Sequence, residues 1–366
     1  MAATFGYLVF LLRVSVTNRP QSLQRLSEAG ADNADTLDLF EDAFEVMGKK
    51  FRRESGAEGF RCKEATRTGR TIWVTINKGP AGIEGETYDM ETDESVETTE
   101  RHALLSGLRA MFVVPADSYY GLMFVERIGR RNLRQLLDDW IIKPTIHQLA
   151  ESLIRVEGFA EADDWRAVLA DKELLQVSEV LKAGPGDDAS TPNDRVVKVQ
   201  IAGGAVRNLT NSVKEMIISR VQRRTNRVDL TVEAARIEER RHVAGKDAFT
   251  VEDDARLEAI REALDEIDSS SSREESLAEF LAQLSPVAPG GDLEHKSYDV
   301  AVGERRPERV FSVERESIPQ FVYELAGRRL GDTELRRAWL SHAETILSNR
   351  GVTLPQGWAA DTPSES

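Results

Sequence analysis

The sequence predicts an α+β or mixed α/β protein of two domains, each with a mixed or antiparallel sheet flanked by helices. Strand-like and helix-like segments alternate along the 366 residues, and 40% of the residues are hydrophobic, as in a globular protein. A stretch of linker composition, GPGDDASTPND at 184–194, divides the chain near its middle. The predicted domains are therefore residues 1–183 and 195–366.

The first predicted domain combines apolar strands with amphipathic helices. Strands are predicted at residues 5–16, 71–76, 109–115 and 119–128. Helices are predicted at residues 36–51, from about 129 onward, and over 162–184. The last two strands are separated by the polar turn Ala116-Asp117-Ser118, which indicates a hairpin. The apolar run that opens the chain is too short to cross a bilayer and is interpreted as a buried strand of a cytoplasmic protein.

The second predicted domain repeats this alternation and contains an acidic helical segment over 247–284. Strands are predicted at residues 195–203, 227–235, 296–303 and 308–314. Helices are predicted at residues 212–224, 251–267, 272–284, 318–325 and 333–347.

The net charge of −15 is concentrated in two segments. Residues 84–100 carry −8, and residues 247–280 carry −9, so the other 315 residues together carry +2. A protein with this net charge is expected to bind nucleic acid poorly, because phosphate binding needs Lys and Arg. Since the acidity is local, the rest of the chain can still present a basic face.

Motifs of the common enzyme classes are missing from the sequence. It has no phosphate-binding glycine loop, no nucleophile elbow, no HExxH and no paired CxxC. Its single cysteine, Cys62, excludes an internal disulfide, and its five histidines are scattered singly. We therefore predict a protein that is not an enzyme and that has no cofactor and no resident metal.

One weak nuclease-like pattern keeps an enzymatic alternative open. Asp292, Glu294 and Lys296 lie just ahead of a predicted strand, where two carboxylates could hold Mg²⁺ and the lysine could stabilise charge on a phosphate. The alternative is a solvated loop. The enzymatic interpretation is a metal-dependent nuclease or a toxic effector of an anti-phage defence system.

The first basic cluster surrounds a predicted passage from strand to helix. It consists of Arg127, Arg130, Arg131 and Arg134. Arginines oppose the dipole at a helix N-terminus, and a bound phosphate would relieve that conflict through free amides and guanidinium groups. The alternative is a solvated face on which Arg134 pairs with Asp138 one turn later.

The second basic cluster lies at 214–227. It consists of Lys214, Arg220, Arg223, Arg224 and Arg227. On a helical wheel, Val213, Met216 and Ile217 form an apolar stripe that Arg220, Arg224 and Arg227 continue. Such a helix would project its last turns toward an anionic partner, or it would end near Arg224 and be followed by a strand.

The acidic segment 84–100 lacks the glycine turn and ligand spacing of a calcium-binding loop. We interpret it as an acidic loop that leads into a helix containing His102. A sharper hypothesis is that this segment mimics nucleic acid and covers a basic face until DNA displaces it.

Two stretches resemble the RexA family of phage-encoded exclusion proteins. MFVVPADSYYGLMFVERIGRRNLRQLL at 111–137 is similar in its order of strand, acidic turn, strand and leucine-paired helix. KVQIAGGAVRNLTNSVKEMII at 198–218 is similar in its strand followed by a basic helix. The close match is the first stretch, of about thirty residues, and it rests on hydrophobic order; the second stretch shares the overall plan.

The resemblance implies a two-domain homodimer of a temperate phage or prophage, with a fold like that of the ring-forming recombination protein RdgC. It implies binding to double-stranded DNA with little sequence preference, in superinfection exclusion and the choice between lysis and lysogeny, beside a membrane-protein partner. It supplies no catalytic residues. A protein-interaction module, in which the acidic helices bind a partner without DNA, is the remaining alternative.

Overall fold

The structure is a computed structural model that describes residues 4–17, 19–48, 52–53, 58–80, 85–88, 95–98, 105–149, 152–170, 173–183, 197–201, 210–243, 250–269, 293–303, 309–312, 320–325, 327–355 and 357–359. Across these residues the chain has the predicted mixed α+β class, with helices and antiparallel sheets.

The strands are β1 (Phe5–Val16), β2 (Arg19–Gln24), β3 (Arg52–Arg53), β4 (Glu58–Thr68), β5 (Thr71–Pro80), β6 (Gly85–Tyr88), β7 (Ser95–Thr98), β8 (Ser106–Val113), β9 (Tyr120–Ile128), β10 (Ser152–Phe159), β11 (Glu173–Ala183), β12 (Val197–Ile201), β13 (Leu293–Gly303), β14 (Arg309–Ser312) and β15 (Tyr323–Leu325). The helices are α1 (Thr36–Met47), α2 (Arg134–Leu137), α3 (Lys143–Gln148), α4 (Ala162–Leu169), α5 (Thr210–Val243), α6 (Val251–Ser269) and α7 (Asp332–Asn349). A π-helical turn at Asp138–Ile142 joins α2 to α3.

The chain forms two compact units. Unit 1 consists of Met1–Phe159 together with Val322–Ser366, and unit 2 consists of Ala160–Phe321. These units do not coincide with the predicted domains 1–183 and 195–366, and the predicted linker 184–194 lies outside the described residues. The C-terminal segment belongs to unit 1 because β15 pairs with β1 of that unit.

Unit 1 is built on one large antiparallel sheet with strand order β10-β1-β9-β8-β5-β4-β3, and β2 and β15 also pair with β1. Because side chains alternate along a strand, each face of this sheet has its own apolar set. The first face, with Phe10 and Phe112, packs against α1 and the helical segment 134–148. The second face, with Phe124 and Trp73, packs its rings against Trp339 of α7.

Strands β10 and β15 lie end to end along β1. Phe159, the last residue of β10, pairs with Val9, and Tyr323, the first residue of β15, pairs with Tyr7. A single strand position, opposite Leu8, lies between them. Unit 2 is therefore inserted into what is in effect one interrupted strand of unit 1.

Unit 2 contains a four-stranded antiparallel sheet of described strands, ordered β12-β11-β13-β14, and the helices α4, α5 and α6. The long helix α5 packs against α6 through a small apolar cluster of Ile237, Leu257 and Ile260. Two ion pairs also join these helices, Arg240 with Asp253 and Arg256 with Glu233. The two helices therefore form a hairpin.

The prediction of a helix over 162–184 is wrong in its second half. The helix ends at Leu169, and residues 173–183 form β11, which pairs with β12 on one side and β13 on the other. This sequence, ELLQVSEVLKA, has helix-forming residues, but pairing with two neighbouring strands outweighs local propensity.

The predictions of a strand at 227–235 and of a helix at 318–325 are also wrong. Residues 227–235 continue α5, because Val228, Val232 and Ala235 are buried at helical spacing despite their β-branched neighbours. Residues 323–325 form β15, which pairs with residues 5–7 of β1. The acidic stretch predicted as a helix at 251–267 is confirmed as α6.

Within the acidic segment 84–100, residues 85–88 and 95–98 form the paired strands β6 and β7, so this part is not the loop that the sequence predicts. His102 lies outside the described residues, as does the predicted helix 272–284. In the helices that the structure describes, none is long and apolar enough to cross a membrane.

Candidate nucleic-acid interface

The first basic cluster begins in a tight turn at the end of β9. Ile128 and Arg131 exchange both of their backbone hydrogen bonds, each at 3.0 Å, so Gly129 and Arg130 are the two central residues. Gly129 has a φ of +59°, which a residue with a side chain adopts only with strain. Its N–H donates to the carbonyl oxygen of Thr4 at 2.7 Å. We call residues 127–131 the arginine turn.

The arginine turn presents three guanidinium groups. Arg130 and Arg131 are exposed, and Arg127 is half-buried. Arg127 Nε donates to the carbonyl oxygen of Gly129 at 2.7 Å, and Arg131 Nη1 donates to Ser106 Oγ at 3.5 Å. Among the described residues, no carboxylate forms an ion pair with any of these three arginines. Their positive charge is therefore not neutralised by a neighbouring acid of the described chain.

Arg134 has a different environment. Its side chain lies 3.7 Å from Asp138, as the alternative interpretation predicts, and its guanidinium stands 5.4 Å from the ring centre of Phe10. The backbone N–H of Arg134 donates to Asn132 Oδ1 at 3.0 Å. That amide is therefore already occupied, which is contrary to the expectation of free amides at this helix start.

The acidic segment 84–100 is attached to the same end of the sheet as the arginine turn. It lies between β5, where Lys78 pairs with Ser106, and β8, where Ser106 begins the strand. Ser106 Oγ also donates to the carbonyl oxygen of Lys78 at 3.3 Å. Since Arg131 contacts Ser106, the strand ends that precede and follow the acidic segment, Pro80 of β5 and Ser106 of β8, lie on the side of the sheet that carries the arginine turn.

The second basic cluster lies on α5 in unit 2, whereas the arginine turn belongs to unit 1. Helix α5 does not end near Arg224 but continues to residue 243, and the predicted apolar stripe of Val213, Met216 and Ile217 is buried. The basic side chains differ in exposure: Arg220 is 7% exposed, Lys214, Arg223 and Arg224 are half-buried, and Arg227 is exposed.

These exposures limit which members of the second cluster can meet a partner. Lys214 Nζ already donates to the carbonyl oxygen of Ala170 at 2.8 Å. The burial of Arg220 leaves little of its surface for a phosphate, which is a departure from the projecting stripe that the helical wheel predicts.

Sequence reasoning did not find a buried cluster of ionised groups in unit 1. Arg109 is 3% exposed and Glu126 is 2% exposed. Arg109 Nε and its backbone N–H donate to Glu126 Oε2 at 2.9 and 3.1 Å, and Arg109 Nη2 donates to Glu126 Oε1. Arg329 adds Nε and Nη2 to the same carboxylate at 2.8 and 2.7 Å. We call Arg109, Glu126, Arg329 and Asp332 the ionic clasp.

The ionic clasp joins the hairpin β8–β9 to the C-terminal segment. Arg109 Nη1 donates to Asp332 Oδ1 at 2.7 Å and to the carbonyl oxygen of Leu330 at 2.8 Å. Burial would raise the pKa of Glu126, but the hydrogen bonds from Arg329 and Arg109 outweigh burial and lower it. One feature of the sequence could have predicted this pair: when the apolar runs 109–115 and 119–128 are paired as a hairpin, Arg109 lies opposite Glu126.

The nuclease-like residues receive no support from a described site. Glu294 and Lys296 lie within β13 rather than ahead of a strand, their side chains are outside the described part of the chain, and Asp292 is not described at all. In the described residues, no three or more His, Cys, Asp or Glu side chains are grouped so that they could hold a metal ion.

Comparison of the chain with known protein families, with characterised proteins and with solved structures found no match. The geometry of the chain itself therefore carries the functional argument.

Proposed function

We propose that this protein binds double-stranded DNA without sequence preference, and that the arginine turn makes the principal phosphate contacts. One observation carries the proposal: Arg127, Arg130 and Arg131 have no carboxylate partner among the described residues. Several other arginines of unit 1 are paired with acids: Arg13 with Glu157, Arg67 with Asp38 and Glu41, Arg70 with Asp35, and Arg109 with Glu126. Unpaired arginines in an acidic protein indicate an anionic partner.

The chemistry of the turn favours backbone contacts over base recognition. A guanidinium group offers a planar fork of N–H donors that matches two phosphate oxygens. Contacts to phosphate position a duplex but carry no sequence information. Arg130 and Arg131 are adjacent and exposed on a turn that is hydrogen-bonded at both ends, so little ordering is needed before they meet the DNA backbone.

The second basic cluster is a further part of the proposed DNA contact. Arg223, Arg224 and Arg227 share the last turns of its basic stretch on α5, and Lys214 lies at the start. Arg220, which is buried, is the member from which we expect the smallest contribution to DNA binding.

The biological setting is proposed from the RexA-like stretches at 111–137 and 198–218. It is the cytoplasm of a bacterium that carries a temperate phage or prophage. A homodimer would act there on DNA during superinfection, beside a membrane-protein partner.

Replacing Arg130 and Arg131 together by Ala is expected to weaken DNA binding at low salt at least tenfold. Because two phosphate contacts are lost, the negative slope of log K against log salt concentration should become shallower by about two. The measurement is a gel-shift or fluorescence-anisotropy titration of a short duplex over a series of salt concentrations.

The matched control is Arg166→Ala with Arg261→Ala, which removes the same charge from two exposed arginines that already have ion-pair partners. This control should bind DNA like the unaltered protein. Absence of any complex at low salt, or equal loss in both double variants, contradicts the proposed function.

Neutralising part of the acidic segment is expected to strengthen DNA binding. The variant replaces four acids by their amides: Glu86, Asp89, Glu91 and Asp93. Because the segment is attached beside the arginine turn, we expect about a three- to tenfold increase in affinity at low salt and a smaller increase at high salt, where exposed charges are screened.

The control for this experiment neutralises four exposed acids of α6 in unit 2, Glu252, Asp254, Glu262 and Asp265. The two variants have the same net charge. If their affinities for duplex DNA rise equally, the effect is one of net charge and the acidic segment has no particular role.

A further inference from the structure

A groove lies on the second face of the unit 1 sheet, beside α7. Helix α7 covers the middle of that face. Among the described C-terminal residues, Trp358 reaches the turn between the neighbouring strands β4 and β5, where its carbonyl oxygen accepts from Arg70 N–H at 3.0 Å. The space between α7, these strands and the C-terminal residues has a volume of about 820 Å³. Sites for small organic ligands fall in this size range.

Part of the groove lining is aromatic and aliphatic. Trp73 of β5 forms the floor and is 5% exposed, and Trp358 forms part of the wall and is half-buried. Leu340, Leu354 and Pro355 complete the apolar lining. Since Trp73 is almost fully buried, the half-buried indole ring of Trp358 is the surface that favours a ligand with a flat, π-rich part.

The groove is lined by charges of both signs. Its arginines are Arg336 and Arg337, and its acids are Glu344, Glu64, which accepts from Thr66, and Asp332, which is paired with Arg109. Arg336 and Arg337 lie on one turn of α7, and Glu344 lies about two turns further along the same helix. Arg337 makes no hydrogen bond or ion pair with any described residue, and neither does Glu344. The groove therefore offers an anion site and, about 10 Å away, an acceptor of hydroxyl or amino protons.

Hydroxyl groups also line the groove. Ser341 and Thr333 line the groove from α7, and Thr66 lines it from β4, where its Oγ1 donates to Glu64 Oε1 at 3.1 Å. The lining thus combines a stacking surface, two guanidinium groups, hydroxyls and free carboxylate oxygens.

We propose that this groove is a binding site for a nucleotide. The base would pack on Trp358, the phosphate would lie on Arg336 and Arg337, and a carboxylate would accept from ribose hydroxyls, as acidic residues do in other nucleotide sites. Inorganic phosphate alone would leave the indole surface unused, and a purely apolar ligand would leave the two arginines unused. The proposal does not depend on DNA binding by the arginine turn, since no residue is shared.

The test is a titration of the full-length protein, followed by tryptophan fluorescence, with each of the four common ribonucleoside monophosphates. We expect saturable quenching by at least one of them below 1 mM, a concentration typical of weak specific sites. The matching nucleoside without phosphate, and inorganic phosphate without the base, should each bind at least tenfold more weakly.

Replacing Arg336 and Arg337 by Ala should raise the Kd at least tenfold, whereas Arg61→Ala, an exposed change on β4 outside the groove, should leave it unchanged. Unaltered near-ultraviolet circular dichroism confirms that the variants are folded. The absence of saturable binding by all four nucleotides overturns the proposal, as does an unchanged Kd in the double variant.

Binding of a short single-stranded oligonucleotide distinguishes the groove from the arginine turn. If the terminal nucleotide of the oligonucleotide binds in the groove, the Arg336 and Arg337 variant loses that binding. If only the oligonucleotide binds and the Arg130 and Arg131 variant abolishes its binding, the groove is not a nucleotide site, although the proposed DNA contact stands.

Discussion

Glu126→Ala is expected to lower the free energy of unfolding by about 3 to 5 kcal/mol, the usual cost of removing one partner from a buried ion pair. Both Arg109 and Arg329 donate hydrogen bonds to Glu126, and among the described residues no other carboxylate of the ionic clasp contacts both of them. Its removal leaves the guanidinium group of Arg109 buried beside β8 without its main counter-charge. Equilibrium denaturation with urea measures the change.

The comparison variant is Glu334→Ala. Glu334 pairs with Arg328 at the exposed start of α7, where water already solvates both charges, so a much smaller loss is expected. Two similar losses would show that the ionic clasp contributes no more than a surface pair.

Stability should also fall at acid pH in a way that depends on Glu126. The pKa of Glu126 is lowered in the folded protein, so its contribution is fully present above the unfolded value of about 4.3 and is lost as the pH falls through the folded value. Unfolding free energies measured from pH 7 downward should therefore decrease more steeply for the unaltered protein than for Glu126→Ala.

Removing residues 160–321 is expected to leave unit 1 folded. Joining Phe159 directly to Val322 places Val322 opposite Leu8, between the pairs Phe159–Val9 and Tyr323–Tyr7, so β10 and β15 become one continuous strand. No described pairing of the large sheet is lost, because its strands all belong to unit 1. A domain inserted between neighbouring chain positions is commonly removable.

The opposite truncation, which removes residues 322–366, is expected to abolish the native fold of unit 1. It takes away α7, whose Leu335, Trp339 and Leu347 are fully buried, and with it the cover of Phe124 and Trp73. It also takes away Arg329 and Asp332 of the ionic clasp. An exposed apolar face of this size causes aggregation or loss of cooperative unfolding.

Near-ultraviolet circular dichroism and thermal unfolding distinguish these outcomes. The protein without residues 160–321 should unfold in one cooperative transition, and the protein without residues 322–366 should not. If the first truncation fails to fold and the second folds cooperatively, the assignment of Val322–Ser366 to unit 1 is wrong.

Strong local patterns were sufficient to predict many of the elements. The apolar run at 5–16 is β1, the paired runs around Ala116-Asp117-Ser118 are β8 and β9, and the helix predicted at 333–347 is α7. In each case a single period of apolar residues extends over the whole element, so the local and the tertiary preferences agree.

The predictions failed where the local propensity and the tertiary pairing favour different structures. Residues 173–183 favour a helix by composition but gain two strand partners in the sheet of unit 2. Residues 227–235 contain β-branched residues, yet burying Val228 and Val232 on one stripe of α5 requires a helix. The return of residues 323–325 to β1 is a pairing across more than 300 positions, for which the sequence shows no local signal.

The fold class, the concentration of acidity in two segments and the clustering of arginines around the end of β9 can all be predicted from the sequence, because they are properties of composition and of short-range order. Which arginines have an acidic partner depends on the folded chain, because a counter-charge such as Glu126 or Asp332 reaches its arginine only through strand pairing and long-range packing. The arginine turn has no described acidic partner, whereas Arg109 is paired in the ionic clasp with Glu126, which follows it by seventeen residues in the sequence.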